Sequence, residues 1–341
     1  MTDLVVAGGG PAGLATALHA ARAGLSVVVR EPRDAPVDKA CGEGLMPAAV
    51  ERLAGLGVDP AGRPLRGIRY LAGTTAAEAL FRGAPGRGVR RTVLHAALRA
   101  AVLDAGVRME QRKVVVVDQL DGGVLVDGEP ARYLVVADGL HSPLRRSLGL
   151  ALPARGPRRH GLRRHHGVEP WTDLVEVHWA ERAEAYVTPV GPHEVGVALL
   201  TTRRTTYDEQ LAAFPALLDR LEGAAPTTPV RGAAPLRQRT RARVQGRVLL
   251  VGDASGYVDA LTGEGISLAL AQAEAAVAAI VAGRPQAYET DWRRIVRRYR
   301  LLTEVLLAAA AWPPSRRLLV PAARTLPRVF AAAVDEIGRT G

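Results

Sequence analysis

Residues 247–272 read RVLLVGDASGYVDALTGEGISLALAQ. The apolar run Val248 to Val251 predicts a short buried strand, because an unbroken run of this length suits a parallel strand covered on both faces. Gly252 and Asp253 end it with a turn. Gly263, Glu264 and Gly265 then open an Ala-rich helix that reaches about Ala282. Unpaired N–H groups at a helix start favour negative charge, and glycine there lets a ligand approach the backbone. Asp253, at the strand end, offers a carboxylate to sugar-like hydroxyls. One segment thus combines a hydroxyl acceptor with an anion-stabilising helix end.

The N-terminus supplies a matching unit. Leu4 to Ala7 form an apolar strand, and Gly8-Gly9-Gly10-Pro11-Ala12-Gly13 follows at once. The spacing Gly8-x-Gly10-x-x-Gly13 fits a dinucleotide-binding turn: the first glycine makes the turn, the second admits a pyrophosphate, and the third lets helix and strand pack closely. Leu14 to Ala23 predicts a helix stopped by Gly24, and Ser26 to Val29 a second strand. That strand leads to Glu31, 18 residues past Gly13, where an acid would hold ribose hydroxyls. Strand, glycines, helix, strand and acid together predict an adenine dinucleotide site.

Composition narrows the class. At 341 residues the chain has room for two domains or for one large domain with an insertion. The formal net charge is +11, yet only Lys39 and Lys113 are lysines. Arginine in an Ala- and Gly-rich chain, without an aromatic-interleaved basic patch, argues against nucleic-acid binding. A single cysteine, Cys41, rules out an intramolecular disulfide, a redox cysteine pair and a cysteine-rich metal site; no metal is expected. No signal-peptide pattern opens the chain and no run reaches the ~18 apolar residues of a membrane span, so a cytoplasmic protein is expected.

Between the two nucleotide-like segments, Asp38 to Pro47 reads as a glycine-bearing loop around Cys41, followed by a helix from Pro47 to Leu56. Leu65 to Ala79 suggests strands, Thr92 to Ala105 a helix, Val114 to Val117 a strand with Val124 to Val126 as hairpin partner, and Tyr133 to Ala137 a buried strand ending in Asp138-Gly139. From Gly156 to Thr202, strand-like segments (Leu174 to Trp179, Ala185 to Pro189, Glu194 to Leu200) alternate with turns, which predicts an inserted antiparallel sheet. Tyr207 to Leu221 reads as one helix, and 223–235 as a linker. The expected class is α/β with an α+β insertion. A Rossmann-like nucleotide domain (1–155 and 236–285) would surround an antiparallel-sheet substrate domain (156–235), with part of the substrate region at 60–90 and a helical C-terminal region at 286–341.

These segments, in this order and spacing, resemble the FAD-dependent p-hydroxybenzoate hydroxylase superfamily. Cys41-Gly-Glu-Gly and Asp259-Ala-Leu-Thr-Gly-Glu-Gly-Ile look most like its geranylgeranyl reductase-like branch, over about residues 1–285. Ala260 departs from the proline that many relatives carry. The resemblance implies that Gly8, Gly10, Pro11, Ala12, Gly13 and Glu31 hold the ADP half of FAD, and that Arg91 contacts the pyrophosphate. Asp253, beside Gly252, would bind the ribityl chain. Gly263, Gly265 and Ile266 would lie beside the isoalloxazine, with Cys41, Val115, Asp138 and Gly139 as further cofactor contacts.

No second glycine fingerprint follows a strand, so the reductant, NAD(P)H, must bind transiently or a partner must deliver the electrons. A halogenase is disfavoured: the Trp-x-Trp-x-Ile-Pro segment is absent and neither lysine falls at a catalytic position. The favoured expectation is a monooxygenase that hydroxylates a small hydrophobic or phenolic substrate through a flavin C4a-hydroperoxide. The alternative is a flavin-dependent C=C reductase or dehydrogenase, and a non-catalytic FAD-binding protein is the third reading. Catalytic candidates are Cys41, His166 and Tyr186, with Arg163, His165, His178 and Trp179 as further substrate-side residues. The chain is expected to be a monomer or homodimer taking a small-molecule substrate. Arg293, Arg294, Arg297 and Arg298, followed by the apolar run Leu301 to Trp312, read as a solvated face backing onto core, a lid, an oligomer contact or a peripheral membrane contact.

Overall fold

The computed structural model describes residues 1–339. An eight-stranded sheet carries the nucleotide-like segments. Five parallel strands run in the order Val248–Leu250, Glu129–Val136, Thr2–Ala7, Val27–Arg30 and Arg108–Glu110. Successive residues face opposite sides of a strand, and here both sides are apolar. Leu4, Val6, Val135, Leu249 and Val251 enter one core, while Val5, Leu134, Val136, Val248 and Leu250 enter the other. This two-sided burial is why those strands read as unbroken apolar runs. The helices Pro11–Arg22 and Gly265–Val281 pack together on one face through small side chains, among them Ala15, Ala17, Ala269 and Ala273.

A second sheet has seven strands in the order Arg231–Ala233, His160–His166, Glu194–Thr201, Ala183–Gly191, Leu174–Trp179, Gly67–Ala72 and Thr75–Leu80. All neighbours are antiparallel except Leu174–Trp179 against Gly67–Ala72. The helices Tyr207–Leu211 and Pro215–Arg220 cover part of one face through Leu211, Phe214 and Leu217. The other face meets the C-terminal helices Pro313–Thr325 and Pro327–Arg339, where Val320, Phe330 and Val334 join Tyr70 and Trp179 in one core. A 25-residue helix, Ala287–Ala311, links that layer to the nucleotide-like half through buried Tyr288, Trp292 and Tyr299. No helix among the described residues is long and apolar enough to cross a membrane.

Three expected elements differ. The linker expected at 223–235 contains the edge strand Arg231–Ala233, which pairs antiparallel with His160–His166. The strand expected at Val114 to Val117 lies later, at Val117–Leu120. Only Val114 of the apolar run is buried; the N–H groups of Val115 and Val116 instead donate to Asp127 Oδ1 at 2.9 and 2.8 Å, and both side chains are exposed. The helix expected from Tyr207 to Leu221 is two short helices, because Pro215 has no N–H to carry the ladder through and starts a new helix instead.

Candidate FAD and substrate site

One continuous cavity of about 460 Å³ opens between the two sheets. Gly10, Pro11 and Ala12 form one end, the loop containing Cys41 a side, and Gly263, Gly265 and Ile266 another, with Asp138, Gly139, Gly252 and Asp253 between them. Gly8, Gly13 and Glu31 shape the turn behind Gly10. Gly8 has φ +110°, and a Cβ on Gly13 would sit 1.9 Å from the Gly8 carbonyl oxygen, so the first helix can approach its strand only without one. Glu31 accepts the Gly9 N–H at 2.8 Å and an Arg33 guanidinium N–H at 2.7 Å. Burial opposes its charge, but these donors outweigh burial and hold its carboxyl below the usual range.

Arg91 begins the helix Arg91–Asp104 and is buried at the cavity edge. Its Nη1 has no hydrogen-bond partner, and burial lowers its pKa. A buried cationic donor left open in this way fits an anionic group such as a pyrophosphate. Lys39 stands across the cavity, its Nζ 2.7 Å from where a Cβ on Gly139 would be. Burial pulls the Lys39 pKa down, Arg33 adds to this, and Asp253 opposes it. Burial in turn raises the Asp253 carboxyl against Lys39, Arg91, Arg145 and His141. Arg145 fixes the two turns in one geometry. Its guanidinium donates to the backbone oxygens of Leu140, Asp253 and Ala254 at 3.0, 3.2 and 3.1 Å, and to Gln238 Oε1 at 2.7 Å. Gly252, at φ +60°, comes so close to the first helix that its Cβ would meet that of Ala12 at 2.8 Å.

Glu43 organises the Cys41 loop. It takes a left-handed φ of 60°, and its carboxylate accepts the Arg91 backbone N–H at 2.7 Å and meets His165 Nε2. Behind it, Arg163 reaches His165 Nδ1 at 3.1 Å, the Lys39 carbonyl at 3.0 Å and Asp38. Cys41 is half-buried on the cavity, with Sγ 3.4 Å from the Glu43 N–H. Burial pushes its thiol up and the Glu43 charge adds to the shift, so it is a thiol at neutral pH.

The other substrate-side candidates separate. Tyr186 lines the cavity, but its hydroxyl donates to the Leu261 carbonyl at 2.7 Å and so holds the loop before Gly263. His166 faces the opposite side of its strand from His165 and packs on Tyr207, with Nε2 3.4 Å from the phenol oxygen and away from the cavity. His178 pairs with Glu176 at 3.2 Å and Trp179 packs edge-on against Tyr70; neither lines the cavity. Val115 is 61% exposed and also lies outside it. The roles of Lys39, Glu43 and Arg145 went unread in the sequence. Lys39 had the signal of being one of two lysines, whereas Glu43 and Arg145 act through contacts distant in the chain.

Buried Arg91 and the glycine-bordered anion site fit FAD. Arg91 and the helix start at Gly10 would hold its pyrophosphate, Asp253 a sugar-chain hydroxyl, and Gly263 to Ile266 the ring edge. Bound FAD supplies hydride or oxygen chemistry; the protein positions it and bounds the substrate space.

The family model described as an FAD binding domain matches residues 1–284. Menaquinone reductase of Mycolicibacterium smegmatis is 33% identical over 331 residues, covering 87% of this chain and 80% of that protein. The chloroplastic geranylgeranyl diphosphate reductase of Oryza sativa is 30% identical over 335 residues, covering 85% and 70%. The flavin-dependent brominase Bmp2 shares the fold at TM-score 0.81 and 20% identity, covering 99% of this chain and 94% of that one. The chain therefore belongs to the FAD binding domain family, in the geranylgeranyl reductase-like branch of the p-hydroxybenzoate hydroxylase superfamily, and is an FAD-dependent oxidoreductase.

Proposed function

We propose that the protein is an FAD-dependent reductase that saturates a carbon–carbon double bond in an apolar, isoprenoid-type substrate, using electrons from NAD(P)H or a partner reductase. The observation that carries this reading is the wall the second sheet gives to the cavity. Ile68, Val175, Val177 and Leu200 supply its surface, and most of its polar groups are engaged with the protein itself. Tyr186 donates to Leu261, Thr188 donates to the Gly42 carbonyl at 2.8 Å, and both Arg163 and Arg231 pair with Asp38. Such a wall orients a hydrocarbon by shape and offers a phenol few partners, the Tyr70 hydroxyl chief among them, which favours the reductase over the monooxygenase expected from the sequence. The names of the menaquinone and geranylgeranyl diphosphate reductases point the same way. Cys41 Sγ, held as a thiol on the cavity, delivers the proton that completes the saturation, and solvent restores it.

Anaerobic incubation of the FAD-loaded protein with reductant and either menaquinone or geranylgeranyl diphosphate tests the reading. Mass spectrometry should find a product heavier by two hydrogens in the isoprenoid chain. A product gaining one oxygen, formed only in air, would instead establish the monooxygenase.

A further inference from the structure

A second cavity, of about 140 Å³, lies on the reverse side of the turn at Gly252 to Tyr257. Its walls come from the segment Arg237 to Arg243, the first turns of the helix Gly265–Val281, and the helix Ala287–Ala311 between Trp292 and Arg300. Gly252, Asp253, Tyr257, Gly265 and Ala269 line both cavities, so a single layer of loop and helix separates this space from the flavin site. Lys39, Arg91 and His141, which act on the Asp253 carboxylate, all border the larger cavity.

Four arginines line the small cavity: Arg237, Arg239, Arg243 and Arg300. Arg237 is held by Glu304 in two bonds of 2.7 and 2.8 Å. Arg243 pairs with Glu289 at 3.2 Å and lies 3.6 Å over the Trp292 ring, which fixes its plane. Arg239 and Arg300 have no carboxylate within ion-pair distance among the described residues; Arg239 donates only to the Pro153 carbonyl, at 3.1 Å. Neither guanidinium is held by an acid, although the Glu304 charge acts on Arg300 and Asp253 lines the same space. Thr240 supplies an independent sign. It lines the same space, is 6% exposed, and its Oγ1 has no hydrogen-bond partner. A hydroxyl so buried is ordinarily satisfied, because leaving it unpaired forfeits the hydrogen bonds it made to water.

We propose that this crevice binds a phosphate or diphosphate group, with Arg239 and Arg300 supplying charge and Thr240 Oγ1 a hydrogen bond. Guanidinium groups match phosphate oxygens in charge and in planar donor geometry. The volume exceeds the ~10–15 Å³ that admits one water, yet falls well below the ~300–1,000 Å³ of pockets that enclose a whole drug-sized ligand. The space therefore suits an anionic group rather than an entire dinucleotide. Two sources carry that chemistry, a free anion and the 2′-phosphate of NADPH.

Calorimetric titration of the FAD-loaded protein with sodium diphosphate decides the matter, because bound FAD already fills the other anion site. Saturable binding is expected, weakened at least ten-fold by the double substitution Arg239→Ala with Arg300→Ala. Thr240→Val, nearly isosteric, should weaken it several-fold and keeps the test open should the double variant fold poorly. Displacement of diphosphate by NADPH assigns the group to the nucleotide, and lack of displacement assigns it to a free anion. Absence of saturable binding, or unchanged affinity in folded variants, overturns the proposal.

Discussion

Glu43 and Arg91 are joined through the backbone of one and the side chain of the other: a Glu43 carboxylate oxygen accepts the Arg91 N–H at 2.7 Å. The second oxygen meets His165 Nε2, so one buried side chain ties the Cys41 loop to the nucleotide-like half and to the second sheet. Cys41 is placed by this bridge together with the Glu43 N–H at its Sγ and the Thr188 hydroxyl on the Gly42 carbonyl.

Glu43→Ala should therefore leave two buried donors unpaired and destabilise the protein by about 2–5 kcal/mol. Thermal melts of FAD-loaded protein should show a large fall in Tm, beside almost none for the exposed Glu222→Ala. Equal shifts would deny Glu43 its bridging role.

Arg91→Met keeps an unbranched apolar stem and removes the guanidinium with its charge. Flavin fluorescence titration should show FAD binding about 10- to 100-fold weaker, the loss of a charged hydrogen bond of ~1.5–3 kcal/mol. Unchanged affinity would place the pyrophosphate elsewhere.

Cys41→Ala should lower turnover by about 10²- to 10⁴-fold, as loss of a proton donor does, while FAD content stays normal. Stopped-flow measurement separates the steps: reduction of the flavin should keep its rate, and its reoxidation by substrate should slow. Loss of FAD from the variant would make Cys41 a cofactor contact instead.

His95 gives the site an acid limit. It lies buried under the glycine turn, with Nε2 3.0 Å from the Gly9 carbonyl oxygen; burial, aided by the Arg91 charge, lowers its pKa to about 4. Because the folded pKa is below the ordinary 6.5, the unfolded chain binds the proton first. The contribution is complete above pH 6.5 and is lost as pH falls towards 4, about 3 kcal/mol at most. Denaturant midpoints across this range should fall with pH, and His95→Gln should flatten the fall.

On the helix Ala287–Ala311, Arg294, Arg298, Leu301 and Val305 recur at helical spacing on one face, with Leu301 67% and Val305 57% exposed. Arg294 pairs with Asp291 at 2.8 Å and Arg298 with Glu336 at 2.9 Å, so we expect no co-flotation with phosphatidylglycerol liposomes, and flotation abolished by Leu301→Asp would instead establish a peripheral membrane contact. Protein that stays at the bottom of the gradient with such vesicles would mark the face as merely solvated.

Much of the fold was legible because its demands are local. Gly8, Gly10 and Gly13 are dictated by a turn and a close helix–strand approach, and the apolar strands by burial on both faces. The Cys41-Gly-Glu-Gly and Asp259-to-Ile266 stretches carry the branch of the family in residue type alone. Tertiary structure decided the rest, since strand alternation and long-range contacts assign each polar side chain its partner. It turned His165 towards Glu43 and His166 towards Tyr207, engaged the Tyr186 hydroxyl with Leu261, and left Val115 in solvent. Glu43 lies 122 positions from His165 in the chain, and no spacing rule reaches across that distance. Residue types thus set which cofactor the chain can hold, whereas three-dimensional pairing set which groups remain free to meet a substrate.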